Sequence, residues 1–238
     1  MKKIAVFAVL AIAFTIPSCI IGDWDNGVRG EGNVTTEVIN VDDFTGVHAS
    51  SGIDVTISQG EFSVEVVADE NLHEYINVER EGRMLKIGTE RNIYRAESKV
   101  VHVSLPELTD LKISSAGDIE AKTDFECEDL DIQISSAGDL ELGVTADEID
   151  LSISSSGDCD IWGRTEYFDA HLSSAGDLNA FELEADYVKV SVSSAGDARV
   201  FANKEIEMTA SSAGSIYYKG DPVVKRSSKS SAGSIVKK

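Results

Sequence analysis

Five aspartates stand at the same place in a repeated word, and their spacing is the first feature of this chain with chemical potential. Asp118, Asp139, Asp177 and Asp197 each close the sequence Ser-Ser-Ala-Gly-Asp, and Asp158 closes Ser-Ser-Ser-Gly-Asp. If the word marks one point on a stacked unit, the five carboxylates project in a row. Stacked strands lie about 4.8 Å apart, and unit charges at that distance repel by about 0.9 kcal/mol in water before salt screening. A hard cation relieves such repulsion, and calcium is the one that binds clustered carboxylate oxygens. One carboxylate per unit is a thin coordination shell, however, and the Gly-Gly-x-Gly-x-Asp repeat of calcium-binding solenoids is absent. A turn Asp also has a sufficient structural reason, since its side chain accepts backbone N–H groups. The word is therefore read as a turn, with no metal site and no cofactor, calcium being the cation to test.

A second row is aromatic. Trp162, Phe181 and Phe201 each lie five residues after a motif glycine. If the strand continues there, they face outward as a stacking platform for sugar rings; if the chain turns there, they pack inward. Catalysis finds little footing. His48, His73, His102 and His171 show no metal-ligand spacing and no Ser/Asp partner pattern. The serine-rich word lacks the Lys and following helix of a phosphate loop. Its aspartates belong to the repeat itself, so no catalytic residue is expected.

These residues are positioned by the repeat. The motif glycines Gly117, Gly138, Gly157, Gly176, Gly196, Gly214 and Gly233 follow one another at steps of 18 to 21 residues, the last two words ending in Ser215 and Ser234. On both sides of each glycine apolar residues alternate with polar ones, as in Leu130/Ile132/Ile134 before Gly138 and Leu140/Leu142 after it. Period two indicates strands with one buried face. The fold class is all-β: a parallel β-helix of about ten rungs, roughly 50 Å long, in which each rung buries its inward side chains by stacking on its neighbours. Gly at the corner supplies positive φ, Ala before it sits inward, and stacked Ser bonds rung to rung. Residues 106–238 are the regular rungs. Residues 34–105 form about three irregular ones, Ala49-Ser50-Ser51-Gly52 echoing the word. A short helix is expected at 69–76, with Asp69 as its N-cap and Leu72, Tyr75 and Ile76 on one face. Cys159 takes an inward position filled elsewhere by Leu and acts as a small hydrophobe, and Cys127 sits elsewhere on its rung, so no disulfide joins them.

Length and charge exclude other classes. The chain has 238 residues, 42% of them hydrophobic, and a formal charge of −21. It is too apolar for a disordered acidic tail, and its charge has the wrong sign for a nucleic-acid partner. Three cysteines cannot make a dense disulfide framework. At the N-terminus, Lys2 and Lys3 precede an apolar run from Ile4 to Ile16 that suits a secretory leader. The run ends Ile16-Pro17-Ser18-Cys19, which resembles a bacterial lipobox. Residues 1–18 are read as a signal peptide, Cys19 as the lipidated N-terminus, and 19–33 as a tether. Lys219, Lys225, Arg226, Lys229, Lys237 and Lys238 crowd the final rungs, where Lys on an exposed edge discourages strand addition.

The order of further short motifs carries a family resemblance. Gly30-Glu31-Gly32-Asn33, Phe44-Thr45-Gly46-Val47, Ile53-Asp54-Val55-Thr56-Ile57, Val66-Val67-Ala68-Asp69-Glu70-Asn71-Leu72, Leu85-Lys86-Ile87 and Val101-His102-Val103-Ser104-Leu105-Pro106-Glu107-Leu108 precede the rungs. The chain over about 30–238 resembles the auto-transporter adhesin head GIN domain family of secreted bacterial proteins. That resemblance implies a right-handed β-helix at the cell envelope and, loosely, adhesion. The leading reading is a lipid-anchored, exported, non-enzymatic binding module of the bacterial envelope, in the outer membrane, with an extracellular glycan or protein as ligand. A carbohydrate-binding or carbohydrate-active β-helix and a ligand-free spacer are the alternatives.

Overall fold

The computed structural model describes residues 27–238; residues 1–18, read above as a signal peptide, and Cys19 lie outside the described residues. From Asp110 onward the chain winds as a parallel β-helix. One side stacks Asp110–Ile113, Asp129–Ile134 and the second halves of the long strands Asp139–Ile153, Asp158–Leu172, Asp177–Val192 and Asp197–Ala210, ending in Val223–Lys229. The side after each corner stacks Asp118–Ala121, the first halves of those long strands, Ser215–Lys219 and Ser234–Lys237. The inward rows are the alternating apolar residues of the sequence: Leu130, Ile149, Phe168, Val188 and Ile206 lie in one register row, and none is more than 4% exposed. Cys159 is buried between Leu140 and Leu178. Each buried aliphatic contributes about 1.5–3 kcal/mol, but only while the rungs on both sides are present.

The corner is built differently from the expectation. The motif glycines from Gly117 to Gly233 do not take positive φ; the residues before them do, Ser136 at 58° and Ala137 at 62°, Ser155 at 68°, Ser174 at 69°. Ala116, Ala137 and Ala175 are exposed, and the glycine is buried. Its role is steric. A Cβ on Gly157 would lie 2.5 Å from Ile134 Cγ2 and 3.0 Å from the Gly138 carbonyl oxygen. The corner passes so close to the rung beneath it that no side chain fits. The left-handed residues are held by backbone bonds between corners, the Ala175 N–H donating to the Ser155 carbonyl at 2.9 Å. The first Ser of the word also reaches the preceding rung, Ser135 Oγ donating to the Ile113 carbonyl.

The N-terminal third departs further. The stack has about seven turns rather than ten, because residues 34–105 do not wind turn after turn. Gly46–Ala49 and Asp54–Gln59 make a rung around Gly52. That rung is inserted between two later pieces of chain. It pairs in parallel with Asp110–Ile113 and Asp118–Ala121 on one side, and with Met84–Thr89 and Lys99–Leu105 on the other. Beyond it the strands turn antiparallel: Ile76–Glu81 lies against Met84–Thr89, Ser63–Asp69 against Lys99–Leu105, and Val34–Val38 against Ser63–Asp69. A 3₁₀ helix, Glu70–Tyr75, buries Leu72 at this end, with Tyr75 and Ile76 packed on the core.

Asp69 does not cap that helix. Its fully buried carboxylate accepts backbone N–H groups from Gly32 at 2.8 Å, Glu97 at 3.0 Å and Ser98 at 3.1 Å. It thereby ties three segments together. Residues 28–33, expected as tether, are docked on the body by these bonds and by pairing of Val28–Arg29 with Ile93–Arg95. Burial pushes the carboxyl pKa up, but the N–H groups outweigh it and the net direction is down from 3.8. Its stabilisation is therefore full above the ordinary carboxylate range and fades as the pH falls below it.

Two expectations follow. In urea titrations Gly157→Ala lowers stability by about 1–3 kcal/mol through overpacking, whereas Ser155→Gly is neutral or gains up to about 1 kcal/mol by removing left-handed strain. Asp69→Ala costs about 3 kcal/mol, the order expected when buried N–H groups lose their acceptor. A Gly157→Ala protein as stable as the parent, or an Asp69→Ala protein with unchanged midpoint, contradicts these assignments.

Candidate binding surface

The aspartate row forms. Asp54, Asp118, Asp139, Asp158, Asp177 and Asp197 are register neighbours in that order, followed by Ser215 and Ser234. The Asp197 N–H donates to the Asp177 carboxylate at 3.1 Å. Lys99 stands 3.8 Å from Asp54 at one end and Arg199 3.8 Å from Asp197 at the other. Between them the charges accumulate. Asp118 and Asp158 both have raised pKa values, through partial burial first and then through the carboxylates on either side. Among the described residues no group of three or more His, Cys, Asp or Glu is arranged to hold a metal ion.

The expected aromatic row is not one row. Trp162, Phe181 and Phe201 are each half-buried. Register irregularities after Asp160 and after Ala180 place Trp162 opposite Glu182 and Phe201 opposite Glu184. Phe181 instead receives Lys219, whose Nζ lies 4.1 Å from the ring centroid. A bulge on one strand displaces every later residue relative to its neighbour, so equal spacing from the glycine no longer means equal height on the surface.

A different aromatic pair is in register. Five residues that each stand nine before a motif glycine form one register row, Asp129, Glu148, Tyr167, Tyr187 and Glu205, which Val223, ten before Gly233, continues. Tyr167 and Tyr187 stack at 5.0 Å between centroids and 14° between planes. Tyr167 is 47% exposed, and Lys204 Nζ lies 5.3 Å from the Tyr187 ring centroid. The next outward row is charged: Asp150, Asp169, Lys189, Glu207, Arg226. Lys189 is ion-paired with Asp169, Lys225 with Glu205 at 2.9 Å, and Lys204 with Asp186 at 2.9 Å. Each of these lysines has its pKa raised by the carboxylate it meets. The neighbouring Glu166 carboxylate pushes the Tyr167 hydroxyl pKa up. Of these, Tyr167 and Tyr187, with Glu148, Asp169, Lys189 and Lys225, line a shallow groove of about 240 Å³ on the flank of the solenoid. It offers an apolar floor with acceptors and donors on its rim. The sequence contained the signal, since Tyr167 and Tyr187 both stand nine before a glycine, but the rows after the glycine are the ones rich in aromatics.

Beside it, sharing Glu148, is a groove of about 440 Å³ lined by Glu107, Glu128, Asp129, Asp131 and Asp150. Asp150 is raised by burial, then by Asp169 and Asp131. Cys127, also on this groove, is a free thiol pushed up to about 11 by burial and by Asp129. Among the histidines, His48 Nε2 is 2.9 Å from Ser114 Oγ. Burial first, then Lys86 and Lys112, depress its pKa.

A family profile described as "Putative auto-transporter adhesin, head GIN domain" matches residues 43–222. The chain belongs to that family. Solved structures agree with the fold. A putative adhesin from Bacteroides fragilis NCTC 9343 is similar at a TM-score of 0.81 and 19% identity, covering 89% of this chain and 99% of that one. A putative adhesin from Parabacteroides distasonis ATCC 8503 is similar at 0.74 and 24%, covering 89% and 99%. A putative lipid binding protein from the same organism is similar at 0.71 and 22%, with the same coverage. No curated protein matches the chain.

The aspartate row generates a prediction with a definite sign. A raised folded-state pKa means that ionisation destabilises the fold, so stability of the parent rises as the pH falls through that pKa. Asp158→Asn keeps an acceptor oxygen and removes the charge. It is expected to raise the melting temperature by about 2–4 °C at pH 7, the shift that about 1 kcal/mol gives in a domain of this size. The gain fades as the pH falls through the raised pKa and is gone once the pH is below the ordinary carboxylate value of 3.8. Chelator leaves the parent's melting temperature unchanged; a large rise on adding calcium would identify the row as a cation site instead.

Proposed function

We propose that this adhesin-family protein is a non-enzymatic glycan-binding module, held at the bacterial outer membrane by lipid on Cys19 and binding on the flank of its solenoid. The observation that carries the reading is the stacked pair of exposed Tyr167 and half-buried Tyr187 in a charge-rimmed groove. A pyranose has an apolar face of C–H groups and a periphery of hydroxyls. The first suits an aromatic floor. The second suits a rim that alternates acceptors such as Glu148 and Glu207 with donors such as Lys189 and Lys225. The rings follow one another at the rung spacing, so a linear chain of sugars can run along the axis and contact successive rungs. A shallow, charge-rimmed groove suits an acyl chain poorly, since lipid tails require enclosed apolar walls. The leader, the lipobox-like Ile16-Pro17-Ser18-Cys19 and the family's adhesin description support display at the envelope.

A glycan array probed with the protein is expected to give selective binding to neutral oligosaccharides. Tyr167→Ala and Tyr187→Ala should each weaken it about five- to tenfold, the worth of one lost stacking contact of about 1–1.4 kcal/mol. Trp162→Ala should leave it unchanged. Binding that survives loss of both tyrosines moves the site elsewhere, and a blank array favours a ligand-free spacer.

A further inference from the structure

The two ends of the solenoid differ in strand direction and in charge, yet each leaves a sheet edge open. Among the described residues, Ile76–Glu81 and Val34–Val38 have one strand partner each at the N-terminal end. Val223–Lys229 and Ser234–Lys237 likewise have one each at the C-terminal end. Unpaired edges are templates for another strand. The exposed large apolar residues gather there: Val34 at 40% and Val38 at 60% on one end, Val223 at 60%, Val224 at 44% and Val236 at 38% on the other. Elsewhere along the body the large apolar residues are mostly inside.

Charge decides which edges can meet. The N-terminal edges and their helix carry Glu37, Glu70, Glu74, Glu79 and Glu81 against Arg80. From Lys219 onward the C-terminal end carries Lys225, Arg226, Lys229, Lys237 and Lys238 against Asp221. Two N-terminal ends repel each other, and so do two C-terminal ends. Only unlike ends attract, so the lysines that guard the last edge against its own kind are complementary to the first edge of another copy. The geometry selects the pair that meets. At the C-terminal end both edges lie on the same turn, but at the N-terminal end Ile76–Glu81 is the second strand beyond the Gly52 rung on its side and Val34–Val38 is the third on the other. A second copy placed further along the axis therefore joins Ser234–Lys237 to the outermost edge, Val34–Val38, in parallel, and leaves Val223–Lys229 facing Ile76–Glu81 across a gap of one strand.

We propose that the partner of each end is the opposite end of a second copy of this chain, the basic last turn of one protomer docking edge-on against the acidic antiparallel cap of the next. Such an interface is heterologous and does not close on itself, so it yields head-to-tail chains. This is independent of what the tyrosine groove binds.

The test is sedimentation velocity on the full chain in mild detergent, across protein concentration and salt. The parent is expected to show a concentration-dependent rise in mass of about twofold or more, reversed by salt because opposite exposed charges drive the encounter. Two charge-reversed variants then separate this arrangement from unspecific clustering. One carries Arg226→Glu, Lys229→Glu and Lys237→Glu, the other Glu37→Lys, Glu74→Lys and Glu79→Lys. Each alone has two like ends and should stay monomeric, with an unchanged far-ultraviolet circular dichroism spectrum as the check on folding. Mixed, they should associate again in alternation. A parent monomeric at every concentration, variants that associate singly like the parent, or folded variants that fail to associate on mixing would each overturn the proposal.

Discussion

Everything in this molecule answers to one spacing. Backbone ladders hold successive rungs about 4.8 Å apart, and the side chains of one rung have nowhere to be buried except against the rungs on either side. Because register is kept over many turns, each position of the repeat becomes a row along the axis. Inside, the rows are apolar and their packing is cumulative. Outside, a row inherits whatever residue type the repeat dictates, whether or not like charges profit from being neighbours. The aspartate row is the cost of that regularity, and Lys99 and Arg199 at its two limits are where it is relieved.

The same constraint explains where functional variation can reside. A residue that departs from its row disturbs nothing inside, so the outer rows are free to change rung by rung. The row of the two tyrosines does so, passing from Asp129 and Glu148 through Tyr167 and Tyr187 to Glu205 and Val223. The result is a flank that shifts along its length from a purely acidic groove to an aromatic one with mixed charges. A repeat protein thus has many adjacent addresses on one surface, each written by one residue per rung.

How much of this was legible follows from which facts are local. Alternation of two and a step near nineteen are local, and from them the strand rows, the inward place of Cys159 and the alignment of the aspartates could be read. The corner was misread because glycine can turn the chain or can merely be thin, and only the carbonyl of Gly138 and the methyl of Ile134 beneath Gly157 decide between them. The row of Trp162, Phe181 and Phe201 failed because bulges carry no sequence mark of their own. The docking of 28–33 through Asp69 and the insertion of the Gly52 rung between two later segments were not legible at all. They depend on pairings across dozens of residues, which a periodicity cannot contain.

That inserted rung bears on how the molecule carries tension. Load applied at the N-terminus would fall first on the pairing of Val28–Arg29 with Ile93–Arg95, on the Gly32–Asp69 bond and on the antiparallel strand Val34–Val38. Beyond these, an ordinary solenoid would peel away one turn at a time. Here the next segment along the chain, Gly46 to Gln59, is clamped on both faces by strands that come later in sequence. Extracting it means breaking two ladders at once, so unravelling of the chain under pull is arrested at its first full turn, before the flank that carries the tyrosines feels any strain.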